Sequence, residues 1–75
     1  MMQENKNEFI KIDRKWALRE IEAAYKATDR ALSHIVLLQE AYRSQGHEQH
    51  ADYMQKVAEI LYNVENLILD FRRFM

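Results

Sequence analysis

Residues 41–53 read AYRSQGHEQHADY, and Gly46 within this stretch decides the fold. The chain of 75 residues contains no proline and no other glycine, so Gly46 is the one position where a long helix is expected to end. Glycine suits the left-handed backbone conformation that follows a helix, and Arg43 is placed to complement the last carbonyl groups. The sequence therefore predicts one helix that ends just before Gly46 and a second helix that starts at about His47 or Glu48.

Side chains spaced three and four apart on each side of Gly46 form two seams, as in amphipathic helices that pack together. The seam of the first half consists of Leu18, Ile21, Tyr25, Thr28, Leu32, Ile35, Gln39 and Tyr42. The seam of the second half consists of Met54, Val57, Leu61, Val64, Ile68, Phe71 and Met75. The seams match in length when the chain folds back at Gly46. The predicted fold is all-α: an antiparallel helical hairpin of two long helices over residues 13–75, with residues 1–12 as a polar tail or short helix.

Two further apolar rows, each with a spacing of seven residues, follow one side of this hairpin. The first row is mostly small and consists of Ala17, Ala24, Ala31 and Leu38. The second row is large and consists of Tyr53, Ile60, Leu67 and Phe74. We call these eight residues the apolar flank. A chain this short buries only about 60% of the surface that it exposes when unfolded, so we expect the apolar flank to be the partner-binding site.

The opposite side of the seam, which we call the polar flank, carries mostly charged side chains. Its members are Glu22, Asp29, Val36 and Arg43 from the first helix and Ala58, Glu65 and Arg72 from the second. A hairpin with one apolar side is expected to cover that side with another helix or a second copy of itself. A second copy would give a homodimeric four-helix bundle. A heterologous partner is the alternative, and the sequence leaves both open.

Charge and composition argue against several classes of partner. Eleven basic and twelve acidic residues give a net charge of -1, so no overall field attracts nucleic acid or an anionic membrane. The absence of cysteine excludes disulfides and cysteine-based zinc sites. The apolar runs at residues 35–38 and 67–69 are far shorter than the ~20 residues that span a bilayer. Nothing at the N-terminus resembles a signal peptide, and we expect a cytoplasmic protein without membrane insertion.

The sequence gives little support for catalysis. Ser33 and Ser44 lack the glycine-rich or strained turn that presents a nucleophile. A chain with one glycine cannot form a phosphate-binding loop or a dinucleotide fingerprint. We therefore expect no enzyme, no catalytic residues and no cofactor.

Two histidines at the start of the second helix have a spacing that can chelate a metal ion. His47 and His50 are three residues apart, but the segment is not the His-Glu-x-x-His signature of zinc proteases, and no third ligand is evident. A solvated helix start is the favoured interpretation, and no metal site is expected.

A broken basic stripe along the first helix raises the alternative of nucleic-acid binding. Its members are Lys11, Lys15, Arg19, Lys26 and Arg30, with Asp13, Glu20, Glu22 and Asp29 among them. Glu22 and Lys26 have the favourable helical order for a local ion pair. A phosphate-binding surface would carry clear net positive charge, so we interpret the stripe as a solvated face. A dimeric four-helix-bundle regulator that binds structured RNA remains the alternative function.

The layout of residues 28–75 resembles the small co-chaperones of type III secretion needle subunits. The resemblance lies in the helix that runs into residues 41–46, the polar restart at 47–53 and the apolar helix at 57–68. The resemblance implies a non-enzymatic helical hairpin that covers an apolar face of a larger tetratricopeptide-like chaperone. That chaperone would in turn hold a needle subunit soluble and monomeric before export. Ala17, Ala24 and Ala31 would accept a ridge of the chaperone, and a homodimer is expected in isolation.

Overall fold

The computed structural model describes residues 12–73 and 75, which form two helices joined by a short turn. Helix α1 spans Arg14–Ser44 and helix α2 spans Glu48–Arg73. The two helices pack against each other in opposite directions, and the described part of the chain contains no strand. The predicted all-α antiparallel hairpin is confirmed. Residues 1–11 and Phe74 lie outside the described residues.

Polar contacts at the start of α1 hold together the open end of the hairpin, where the start of α1 meets the end of the chain. Asp13 has an extended backbone and is the N-cap, and its Oδ1 accepts a hydrogen bond from the Trp16 N–H at 2.8 Å. Such a cap satisfies one of the free N–H groups of the first helical turn. Arg14 Nη1 donates a hydrogen bond to the backbone oxygen of Met75 at 2.5 Å. This contact joins the start of α1 to the residues that follow α2.

The turn between the helices is a Schellman motif with glycine at its left-handed position. Gly46 has a φ of 83°. The His47 N–H donates to the Tyr42 oxygen at 2.9 Å, and the Gly46 N–H donates to the Arg43 oxygen at 3.1 Å. These two bonds satisfy carbonyl groups that the end of α1 would otherwise leave free. The predicted role of Gly46 is confirmed, and the hydrogen bond from the Ala51 N–H to the His47 oxygen at 3.0 Å starts α2 at once.

We expect Gly46→Ala to lower the free energy of unfolding by about 1 to 2 kcal/mol, because an L-residue is strained in this backbone conformation. A Cβ at position 46 would meet no atom within 4 Å, so a steric clash adds nothing. Gly46→Asn is the matched control, since asparagine tolerates the left-handed region better than alanine does. Urea denaturation measures both variants. Equal losses for alanine and asparagine would show that backbone strain is not the cause.

The register of the hairpin is fixed by contacts between the helices along their whole length. Near the open end, Arg72 Nη2 lies 3.1 Å from Glu22 Oε2, and near the turn, Arg43 Nη2 lies 3.3 Å from Asp52 Oδ1. All eight predicted seam residues of the first helix are half-buried. The predicted seam of the second half is half-buried as well, except that Phe71 remains 46% exposed. The pairing inferred from the sequence is therefore the one that the structure adopts.

The hairpin is a single layer of structure, and its core is thin. Among the described residues, only Ala51 and Glu65 are buried, and no large side chain is fully buried. Two helices cover each other along one stripe only, so large side chains at the edges of the seam keep part of their surface in water. Helices in proteins depend mainly on tertiary burial for their stability. The two helices thus leave much of their apolar side-chain surface in contact with water.

Candidate docking surface

The apolar flank lies on the surface in the structure. Leu38 is 44% exposed, Tyr53 is 66%, Ile60 is 62% and Leu67 is 67% exposed. Tyr53, Ile60 and Leu67 repeat every seven residues along α2, from the turn toward the open end, and Leu38 lies on α1. Large apolar side chains scattered singly are normal on protein surfaces, but a continuous row of them marks a site of interaction.

The small row of the apolar flank lies beside the large row, on α1. Ala24 is exposed, and Ala17 and Ala31 are half-buried. Because alanine projects little from the helix, the surface of α1 is lower here than that of α2, where Ile60 and Leu67 project. The last member of the large row, Phe74, is outside the described residues. The structure describes seven of the eight predicted residues, of which five are exposed and two are half-buried.

Three exposed apolar residues that the sequence analysis omitted widen this surface on α1. Ala27 and Ala41 lie three residues after Ala24 and Leu38, on the side of the row away from α2, and both are exposed. Leu37, beside Leu38, is 62% exposed. The apolar flank was defined by a spacing of seven residues, whereas residues three apart are also neighbours on a helix surface. That spacing was the signal that could have identified the two alanines.

The polar flank holds the two helices together by ion pairs near both of its ends. Near the turn, Arg43 Nη1 donates to Glu48 Oε1 at 2.6 Å, while its Nη2 contacts Asp52. Near the open end, Arg72 pairs with Glu22. All of these side chains are substantially exposed, so each pair contributes at most about 1 kcal/mol. Their main effect is to favour one register of α2 against α1.

In the middle of the polar flank, Glu65 is buried although most members of the flank are charged. Ala58 and Ala51 lie one and two heptads before Glu65 on the same side of α2, and Ala51 has no exposed surface. Helix separation depends on the side chains at the contact, and these two alanines leave little side-chain volume on this side of α2. Glu65 lies in the interface beside them. Burial, followed by a hydrogen bond and repulsion from Asp29, raises the pKa of the Glu65 carboxyl.

The aromatic rings at the turn pack into a small cluster. The ring centroid of His50 lies 5.0 Å from that of Tyr42 and 5.7 Å from that of His47. Tyr42 and His47 meet edge to face at 6.1 Å, in the place where a Schellman motif commonly has an apolar contact. Within residues 12–73 and 75, no group of three or more His, Cys, Asp or Glu side chains is arranged to hold a metal ion. The three rings pack against one another at the turn.

The described members of the basic stripe, Lys15, Arg19, Lys26 and Arg30, are exposed on α1. Lys11 lies outside the described residues. No helix in the described part of the chain has the length and apolar character to cross a membrane.

Comparisons with known proteins give no further guide to the chain. No family model, no curated protein and no solved structure matches it. The surface of the hairpin itself is therefore the basis for assigning a function.

Proposed function

We propose that this chain is a non-enzymatic interaction module that covers an apolar face of a larger helical-repeat chaperone with its apolar flank. The single observation that carries the proposal is the exposed row formed by Tyr53, Ile60 and Leu67 beside the low alanine row of α1. A ridge of the partner would lie over Ala24 and Ala31, with the large row as a wall along one side. Complete burial of one large apolar side chain contributes about 1.5 to 3 kcal/mol.

The finer part of the proposal follows from the resemblance of residues 28–75 to type III secretion needle co-chaperones. In that role the hairpin keeps the tetratricopeptide-like chaperone soluble and so helps to hold a needle subunit monomeric in the cytoplasm. In the absence of this partner, the same surface is covered by a second copy in a homodimer. The working partner and the second copy would then compete for one surface.

A photo-crosslinking amino acid at position 67 tests the proposal in the cells that produce the protein. Position 66 is the matched control, because Asn66 is exposed on the adjacent part of α2 but does not belong to the apolar flank. We expect position 67 to crosslink to a helical-repeat chaperone and position 66 to give little product. Mass spectrometry identifies the crosslinked protein. Crosslinks only between copies of the chain, or equal products from both positions, contradict a heterologous partner.

The RNA-binding alternative predicts a different dependence on charge and salt. Under the chaperone proposal, replacing Lys15, Arg19 and Lys26 with glutamine changes partner affinity little, and salt weakens binding only slightly, since apolar burial supplies the free energy. A phosphate-binding surface loses affinity steeply as salt rises, because bound counterions are released from the nucleic acid. A steep salt dependence that the triple variant reduces would favour the RNA-binding function.

A further inference from the structure

The buried carboxyl group of Glu65 belongs neither to the ion pairs that favour one register nor to the apolar flank, and its surroundings are unusual. Glu65 is only 7% exposed, and its Oε2 is shielded from solvent without a hydrogen-bond partner. Buried polar atoms in folded proteins nearly always have a partner, and a buried unpaired charge is costly. An ionised Glu65 is therefore a poor fit to this position.

Asp29 and Glu65 lie one heptad from Glu22 and Arg72, which pair across the helices at 3.1 Å. The same antiparallel register sets a second carboxyl group, that of Asp29 on α1, opposite Glu65. The basic side chains of the polar flank bond elsewhere: Arg72 pairs with Glu22, and Arg43 pairs with two carboxylates near the turn. Within one helical turn of the pair, the other titratable side chains are Tyr25, Lys26 and Arg30 on α1 and Tyr62 on α2. Lys26 lies beside the interface, near Ile68 and Leu69 of α2, and both Lys26 and Arg30 are exposed. The described ion pairs thus leave the two carboxyl groups facing each other.

We propose that Asp29 and Glu65 share one proton across the interface between α1 and α2, and that this proton makes the hairpin more stable in mildly acidic than in neutral solution. A protonated Glu65 has an O–H that donates to the Asp29 carboxylate, which removes the like-charge repulsion and gives the buried oxygen a partner. When the proton leaves, the negative charges of Asp29 and Glu65 face each other on the polar flank, beside the seam. The interface is then destabilised on its polar flank.

The direction of the pH dependence follows from the pKa of Glu65. Burial and the Asp29 carboxyl raise this pKa in the folded state above its value in the unfolded chain. A raised pKa means that the folded chain holds the proton more tightly. The stabilisation is therefore fully present below the unfolded pKa and is lost as the pH rises through the folded pKa.

Urea denaturation between about pH 4 and pH 8 tests the proposal on the full chain. Glu65→Gln keeps the shape of the side chain and supplies an N–H donor for Asp29 at every pH. The informative quantity is the difference in the free energy of unfolding between each variant and the wild type at each pH. We expect Glu65→Gln to gain stability relative to the wild type as the pH rises. Glu59→Gln, at an exposed position of α2, should show no such change.

A carboxyl-detected NMR titration gives a direct second measurement. We expect the Glu65 carboxyl to titrate at higher pH than the Glu59 carboxyl, and Asp29→Asn to move the Glu65 titration toward that of Glu59. Titration of Glu65 and Glu59 at the same pH overturns the shared proton. A constant stability difference between Glu65→Gln and the wild type across the pH range overturns the stability claim.

Discussion

Leu61→Asp is expected to unfold the hairpin, whereas Leu67→Asp is expected to leave it helical and abolish its association. Leu61 lies in the seam between the helices and is half-buried, while Leu67 lies on the apolar flank and is 67% exposed. At position 61 the substitution removes apolar contact and places an unpaired carboxylate between the helices. We expect this change to cost about 3 to 5 kcal/mol, a large part of the stability of a typical small domain.

Circular dichroism and size measurement together distinguish the two outcomes. Leu61→Met is the control for position 61, because it conserves volume and should cost less than about 1.5 kcal/mol. For Leu67→Asp we expect the helical signal to remain and the particle mass to fall. An equal loss of helicity in both aspartate variants would contradict the assignment of Leu61 to the seam and Leu67 to the outer surface.

The second large effect concerns the state of assembly, since we expect the isolated chain to be a dimer or larger at micromolar concentration. The apolar flank exposes Tyr53, Ile60 and Leu67 in one row, and monomeric proteins rarely leave such a patch uncovered. The small row of one copy can accept the large row of another about a two-fold axis, because both rows have the same spacing. The result would be a four-helix bundle.

Multi-angle light scattering measures this assembly. We expect Ile60→Asp to shift the wild-type dimer to a monomer at the same concentration. Asn66→Asp introduces the same charge at an exposed position outside the apolar flank and should leave the dimer intact. A wild-type monomer that unfolds cooperatively at micromolar concentration would rule out self-association through the apolar flank.

The sequence was sufficient for most of the fold because its signals are local and consistent. A single glycine marks the turn, and the three-and-four spacing of the seams fixes which side of each helix faces inward. The short turn then sets the two helices antiparallel, and the ion pair between Glu22 and Arg72 agrees with this pairing. The large row of the apolar flank was also predictable, since its members repeat every seven residues. A heptad repeat on one helix side requires no knowledge of distant contacts.

The sequence did not predict how far the exposed apolar surface extends, or the burial of Glu65. That surface also includes Leu37, Ala27 and Ala41, because neighbours on the round surface of a helix are not only the residues seven apart in one heptad row. Heptad position placed Glu65 among the mostly charged residues of the polar flank and did not predict its burial, because glutamate is rarely buried in proteins.

The sequence by itself determined the two helices, the turn at Gly46 and the register of the hairpin. These follow from backbone preference and from the periodicity of apolar residues. Only the tertiary structure decided that Glu65 is buried against Asp29, because its burial depends on how closely α2 approaches α1. Ala51 and Ala58, on the same side of α2 as Glu65, keep the side-chain volume there small, and an interhelical distance cannot be read from the spacing of residues along one chain.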